Sequence, residues 1–172
     1  MAEIFSFAPI VADGARVLIL GSMPGIASLQ AQQYYAHPRN QFWPILTELM
    51  ATDVQLSYAQ RCDLLLVHGI AVWDVLKSCQ RRSSLDSDID KSSMVCNDFV
   101  WLFSHYPGIN RVFFNGSTAE QAFRRRVLPQ LTADSLKLTR LPSTSPAHAS
   151  LNFQQKLACW RQIIPTTQAE TL

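Results

Sequence analysis

Between Tyr34 and Trp43 the chain runs Tyr-Tyr-Ala-His-Pro-Arg-Asn-Gln-Phe-Trp, an unusual density of aromatic, basic and amide side chains. Aromatic faces stack on an extruded base, an asparagine amide orients a water or reads a base edge, and arginine or histidine meets phosphate. These residue types suit the handling of a nucleobase. The same residues also have plainer uses: Tyr34, Phe42 and Trp43 as core, Asn40 as a helix cap, His37 as an exposed side chain. For Phe42 and Trp43 the core role is the expectation.

Three further segments carry chemistry of the same kind. Gly21-Ser-Met-Pro-Gly25 follows an apolar run, and its glycines let backbone amides approach a ligand closely. It is neither GxxxxGK[ST] nor GxGxxG, so it supports no nucleotide cofactor. Asn115 closes another apolar run beside Gly116, where its amide offers a donor and an acceptor to a base edge or serves a turn. Pro142-Ser-Thr-Ser-Pro146 is either an ordinary turn or a stiff hydroxyl-bearing loop that grips phosphate and wedges into a base stack. His148 then meets phosphate or a leaving group, or is simply solvated. Arg81, Arg82, Arg124, Arg125 and Arg126 read as solvated charge and stay outside the site.

These segments need elements to hold them. Ala15 to Gly21, Gly69 to Trp73 (running on into Asp74-Val-Leu) and Asn110 to Gly116 are short apolar runs of the buried parallel-strand type, and Leu136 to Leu141 alternates like a half-exposed strand. Helical spacing covers Asn40 to Met50, Asn97 to Tyr106, Ala119 to Val127 and Leu151 to Ile164, with Ser117 to Glu120 as a capping box before the third. Asp63 to Gly69 is helix end or strand, Arg81 to Lys91 a surface loop, and the chain closes on a polar tail. Alternating strands and helices predict an α/β three-layer sandwich, with a mainly parallel four- or five-stranded sheet between helices. Ligands bind beyond the carboxyl ends of such strands, so the loops after Leu20, Phe114 and Leu141 should share a cleft.

The bulk composition sets limits. At 172 residues and 48% apolar content, one domain spanning residues 1–172 is expected. Cys62, Cys79, Cys96 and Cys159 lie too far apart for a zinc or redox motif, so reduced thiols and no metal are expected. The first residues lack a basic, then apolar, leader, and no apolar run is long enough to span a bilayer, which points to a cytoplasmic protein. A net charge of +2 is too mild to announce nucleic acid by itself.

Taken in order, strand-GSMPG, AHPRNQFW, strand-FFNG and LPSTSPAHA resemble the uracil-DNA glycosylase superfamily, above all its mismatch-specific thymine/uracil and hypoxanthine-DNA glycosylase branches. The match spans Val17 to His148. The mismatch-specific branch carries an Asn where this chain has Met23, and the uracil-specific members open the last motif with a His where this chain has Leu141. The hypoxanthine branch also lacks the first Asn and relies on the Asn of HPRN, which by resemblance makes Asn40 the catalytic residue here.

The resemblance implies hydrolysis of the N-glycosidic bond of a flipped, deaminated base, hypoxanthine or uracil, in damaged or mismatched DNA; no cofactor or metal is expected, and a monomer is the default expectation. Asn40 would hold the water. Ser22, Met23, Tyr34, Tyr35 and Asn115 would bind the base, with backbone amides from Ser22 to Gly25 facing the leaving anion. Arg39, Ser143, Thr144, Ser145, Pro146 and His148 would contact DNA. Lys77, Lys91, Lys137 and Lys156 lie outside these motifs, which favours a monofunctional enzyme over a lyase. Two other classes remain: a catalytically weak or inactive module of the same fold that binds damaged or single-stranded DNA, and a hydrolase of free nucleosides.

Overall fold

The computed structural model describes residues 2–50, 55–132 and 134–164. Its elements in chain order are β1 (Glu3–Phe5), β2 (Val17–Gly21), α1 (Ile26–Ala31), α2 (Phe42–Leu49), α3 (Tyr58–Val67), β3 (Ile70–Asp74), β4 (Leu76–Gln80), β5 (Val95–Cys96), α4 (Phe99–His105), β6 (Arg111–Asn115), α5 (Ser117–Ala122), β7 (Lys137–Leu141) and α6 (Phe153–Trp160).

Four strands form a parallel sheet in the order β3-β2-β6-β7, flanked by helices. β2 and β3 are buried at every position: β2 is central and covered on both faces, while β3, at the sheet's edge, is flanked on its free side by the Ile10–Val72 bridge, and this is why both read as unbroken apolar runs. The register pairs Gly21 with Asp74, Leu20 with Phe114 and Asn115 with Leu141. Those ends therefore line up along one edge of the sheet. Phe42 of α2 meets Trp160 of α6 edge to face at 5.9 Å, joining the second and last helices through the core.

Several expectations change. Asp63 to Gly69 resolves as the end of α3, whose start Ser57 and Gln60 cap reciprocally. The expected capping box at Ser117 does not form: Gly116, at φ 94°, takes the cap position with no side-chain bond. Glu120 instead pairs with Arg124 at 3.1 Å and Arg140 at 3.3 Å. Past Ala122 the helix widens to π geometry over Phe123–Val127. The last helix starts at Phe153 and closes in a 3-10 turn over Arg161–Ile163, while the polar tail lies outside the described residues.

A second, antiparallel sheet, β1-β4-β5, was not anticipated. Nor is Arg81 to Lys91 a plain solvated loop. Arg81 is only 7% exposed, Ile89 is buried, and the two residues bridge each other. Among the described residues no helix is long and apolar enough to cross a membrane.

Candidate active site

A cavity of about 480 Å³ opens at the carboxyl edge of the parallel sheet. The segments after β2 and β7 line it, together with Asn115 at the end of β6, residues between Tyr34 and Asn40, and a stretch around Asp86. The space falls within the range of a small-molecule pocket.

The segment after β2 is held from beneath. Ser22 Oγ donates to Asp86 Oδ1 at 2.7 Å, the Arg81 guanidinium donates to the Pro24 carbonyl, and Ile26 N donates to Ser84 Oγ at 2.9 Å. Met23 lines the cavity, yet its side chain belongs to a small apolar cluster with Leu76, Cys79 and Ile89. Gly21 has a specific reason to be glycine. A Cβ there would stand 2.5 Å from Asp74 Oδ1 and 2.9 Å from the Tyr35 hydroxyl.

The aromatic-rich stretch divides its labour. Tyr34 is almost wholly buried: its hydroxyl donates to the Ala8 carbonyl at 2.8 Å, and its own carbonyl accepts from Trp43 Nε1 at 2.8 Å. Tyr35 takes a left-handed backbone at φ 55°, which is costly for a bulky residue. Its ring stacks on Phe42 at 4.0 Å, and its hydroxyl is buried without a hydrogen-bond partner. His37 lines the cavity and is exposed, whereas Arg39 is exposed outside the lining.

Asn40 lines the cavity and both readings of it have a basis. Its Oδ1 accepts from Phe42 N at 2.9 Å, a local turn that leads into α2. Its Nδ2 has no partner among the described residues and stays available to a ligand or water.

Asn115 and Thr144 form a two-bond clamp: Asn115 Nδ2 donates to Thr144 Oγ1 at 2.9 Å, and Thr144 N donates to Asn115 Oδ1 at 2.9 Å. Thr144 is fully buried, so the structure uses it to anchor the loop rather than offering its hydroxyl to phosphate. The clamp likewise takes up part of the Asn115 amide that a base edge would need. Helix α6 secures both ends of the same loop, with Trp160 Nε1 donating to the Pro142 carbonyl at 2.9 Å and Lys156 Nζ to the His148 carbonyl at 2.7 Å. Ser143, Ser145, Pro146 and His148 are left partly exposed on the cavity rim.

Asp74 and Asp86 were not among the expected site residues, and Arg81, expected as solvated charge outside the site, is buried beside them. Asp74 ends β3 in register with Gly21, lines the cavity, and is 3% exposed. Burial pushes its carboxyl up to about 7, helped by the nearby charge of Asp86 and opposed by Arg81. Burial also raises Asp86, while the Ser22 hydroxyl and Arg81 pull it back. The sequence offered one signal, a carboxylate following the apolar run Ile70 to Trp73; its pairing with Gly21 appears only in the fold. Among the described residues no group of three or more His, Cys, Asp or Glu side chains could hold a metal ion.

The fold is thus a parallel α/β sheet flanked by helices, with a cleft at the sheet's carboxyl edge lined by Asn40, Asn115 and an anchored Pro/Ser loop. The chain belongs to the uracil DNA glycosylase superfamily, whose sequence profile matches residues 8–165, and it is a DNA glycosylase. It is 36% identical over 111 residues to a protein from Methanosarcina barkeri named hypoxanthine DNA glycosylase, a match covering 64% of this chain and 69% of the relative. A Methanosarcina acetivorans protein of the same name is 32% identical over 143 residues, covering 83% of this chain and 86% of that one. In fold the chain is similar to the solution NMR structure of a uracil DNA glycosylase candidate from Methanosarcina acetivorans, with TM-score 0.76 and 28% identity, covering 94% of this chain and 99% of that one.

Proposed function

We propose that this glycosylase removes hypoxanthine from DNA, and uracil more slowly, by hydrolysing the N-glycosidic bond of the flipped nucleotide and stopping at the abasic site. One observation carries the reading: Asn40 presents an unengaged Nδ2 to the cavity, while the position after Ser22 holds a thioether turned into an apolar cluster. A thioether is a weak acceptor and no donor. The amide able to orient a water therefore sits at Asn40, and two relatives with substantial overlap carry the name hypoxanthine DNA glycosylase.

The chemistry needs little more. The C1′–N bond breaks with its electron pair leaving on the base, charge builds on the sugar, and water held by Asn40 adds to C1′ and releases its proton to solvent. The segment after β2, fixed by Arg81 and Asp86, faces the departing anion. A lyase step would need an amine at C1′. Lys156 donates to the His148 carbonyl and lies outside the cavity lining, as do the other lysines. The anchored loop from Pro142 to His148 supplies the rim that meets the DNA backbone.

The reading is tested with labelled duplexes bearing one deoxyinosine, deoxyuridine, deoxyxanthosine or G·T mismatch, followed by alkali. Alkali-dependent cleavage, fastest with deoxyinosine, is the expected result. Cleavage without alkali would instead mean lyase chemistry. Tight binding with no cleavage of any duplex would leave a damage-binding module.

A further inference from the structure

Asp74 is one of four described residues, with Tyr35, Gln41 and Arg81, whose buried side-chain atoms lack a hydrogen-bond partner. Its side chain is buried at the carboxyl end of β3 and lines the cavity. Neither carboxyl oxygen has a hydrogen-bond partner among the described residues, and Oδ2 is shut off from solvent. The Tyr35 hydroxyl beside it lies near the Asn115 side chain but makes no hydrogen bond of ordinary geometry. Both groups crowd the place where Gly21 lacks a side chain, and Tyr35 accepts a left-handed backbone in its own placement. Two unsatisfied polar groups, a missing Cβ and a strained residue coincide at the inner end of one cavity. Buried polar groups are nearly always satisfied, so these call for a partner that arrives with the ligand.

We propose that Asp74 works as a neutral carboxylic acid whose O–H donates to the carbonyl oxygen of the flipped base, O6 of hypoxanthine or a ring carbonyl of uracil. This rests on the glycosylase reading above and assigns a donor for the base. As the C1′–N bond breaks, negative charge spreads over the base and its carbonyl oxygen. A donor strengthens its bond as that charge grows, whereas a carboxylate in the same place repels the leaving group. The proton stays on Asp74, and the base anion is protonated by solvent after release.

The surroundings keep the acid neutral. Burial opposes ionisation first, and Asp86, from the 3-10 turn at Asp86–Asp88, adds a like charge. Tyr34 and Tyr35 face Asp74 from the segment before α2, with their own hydroxyls held protonated by burial. Arg81, just past β4, is the one group among those facing Asp74 that favours the ion, and its guanidinium is also bonded to the Pro24 carbonyl. Asn97 Nδ2 reaches only the main-chain carbonyl of Asp74, at 2.8 Å.

The test is single-turnover excision of deoxyinosine from duplex DNA between about pH 5 and pH 9, for wild type, Asp74→Asn and Asp74→Ala. Wild type should lose rate above neutrality, by about tenfold per pH unit once the carboxyl ionises. Asp74→Asn keeps an uncharged donor, so its profile should be flat there. Asp74→Ala should be slower than wild type by about a hundredfold below neutrality, with a flat profile that the wild type approaches toward about pH 9. As a readout that needs no variant, carboxyl ¹³C NMR of the wild type bound to an uncleavable 2′-fluoro-deoxyinosine duplex should find Asp74 protonated at neutral pH. Excision with no alkaline loss in wild type, the same loss in Asp74→Asn, or an ionised Asp74 in the complex overturns the donor role and leaves the glycosylase standing. No excision of deoxyinosine by the wild type at any pH overturns the hypoxanthine reading, and the donor role with it.

Discussion

Gly21 and Asp74 face each other across the β2–β3 pair, with the Asp74 carboxyl oxygen lying 2.5 Å from where a Gly21 Cβ would be. No real Cβ tolerates that distance, and the obstacle is a buried side chain with little room to turn. Gly21→Ala should therefore push Asp74 out of its place and displace the Tyr35 hydroxyl. The expected result is a folded protein whose single-turnover rate on deoxyinosine DNA drops by more than about tenfold, since a misplacement of an ångström is costly in an active site. Wild-type rates in Gly21→Ala would show that the close approach has no part in catalysis.

Asn40 joins two roles that substitution can separate. Asn40→Ala removes both the Oδ1 that accepts from Phe42 N and the free Nδ2. Losing the turn should cost about 1 kcal/mol of stability, and losing the amide should slow excision by about a hundredfold or more. Asn40→Ser restores a short acceptor without an amide. Denaturant midpoints should then recover while the rate stays low. Full activity in the serine variant would move the water elsewhere.

The Asn115–Thr144 clamp makes a different prediction. Thr144→Val keeps the volume of a fully buried side chain but removes the oxygen that accepts from Asn115 Nδ2. Asn115 is part-buried, so leaving its amide unsatisfied should cost about 1 kcal/mol, the low end for such a loss. Urea denaturation should show that loss, and affinity for duplex DNA should weaken because the loop from Pro142 to His148 has lost an anchor. A stability loss with unchanged DNA affinity would separate the clamp from DNA contact.

The sheet was legible because strands covered on both faces leave an unbroken apolar record, as Val17 to Leu20 and Val112 to Phe114 do. Helix α2 was equally plain from its spacing. β4 was not, since Leu76-Lys-Ser-Cys-Gln80 mixes polar and apolar side chains and leads directly into two arginines. Arg81 is buried because Pro24, Asp74 and Asp86 converge on it from distant parts of the chain, which no local pattern records. Asp74 was hidden for a related reason. The apolar run continues through Val75 and Leu76, and only the register shows that the parallel strand stops at the carboxylate while the next residues enter the other sheet. At Asn115 the residue type suggested base reading, while its partner Thr144, 29 positions away, takes a share of the amide.

Asp74 also ties stability to pH, independently of any substrate. Its carboxyl ordinarily titrates at 3.8 and in the folded chain at about 7. Between those values the folded chain keeps a proton that the unfolded chain has released, so stability falls as pH rises through that window and levels off above it. The difference amounts to about 4 kcal/mol, an order-of-magnitude figure for a carboxyl held without partners. Burial raises Asp86 in the same direction, so it adds to the slope. Asp74→Asn cannot ionise and nearly matches the carboxyl in shape. Thermal melts should therefore show the variant gaining little near pH 4 and most at pH 8, with a flatter stability curve between them. Parallel curves for wild type and variant would mean that Asp74 ionises as readily in the folded chain as in water, and would remove the physical basis for a neutral acid in the cavity.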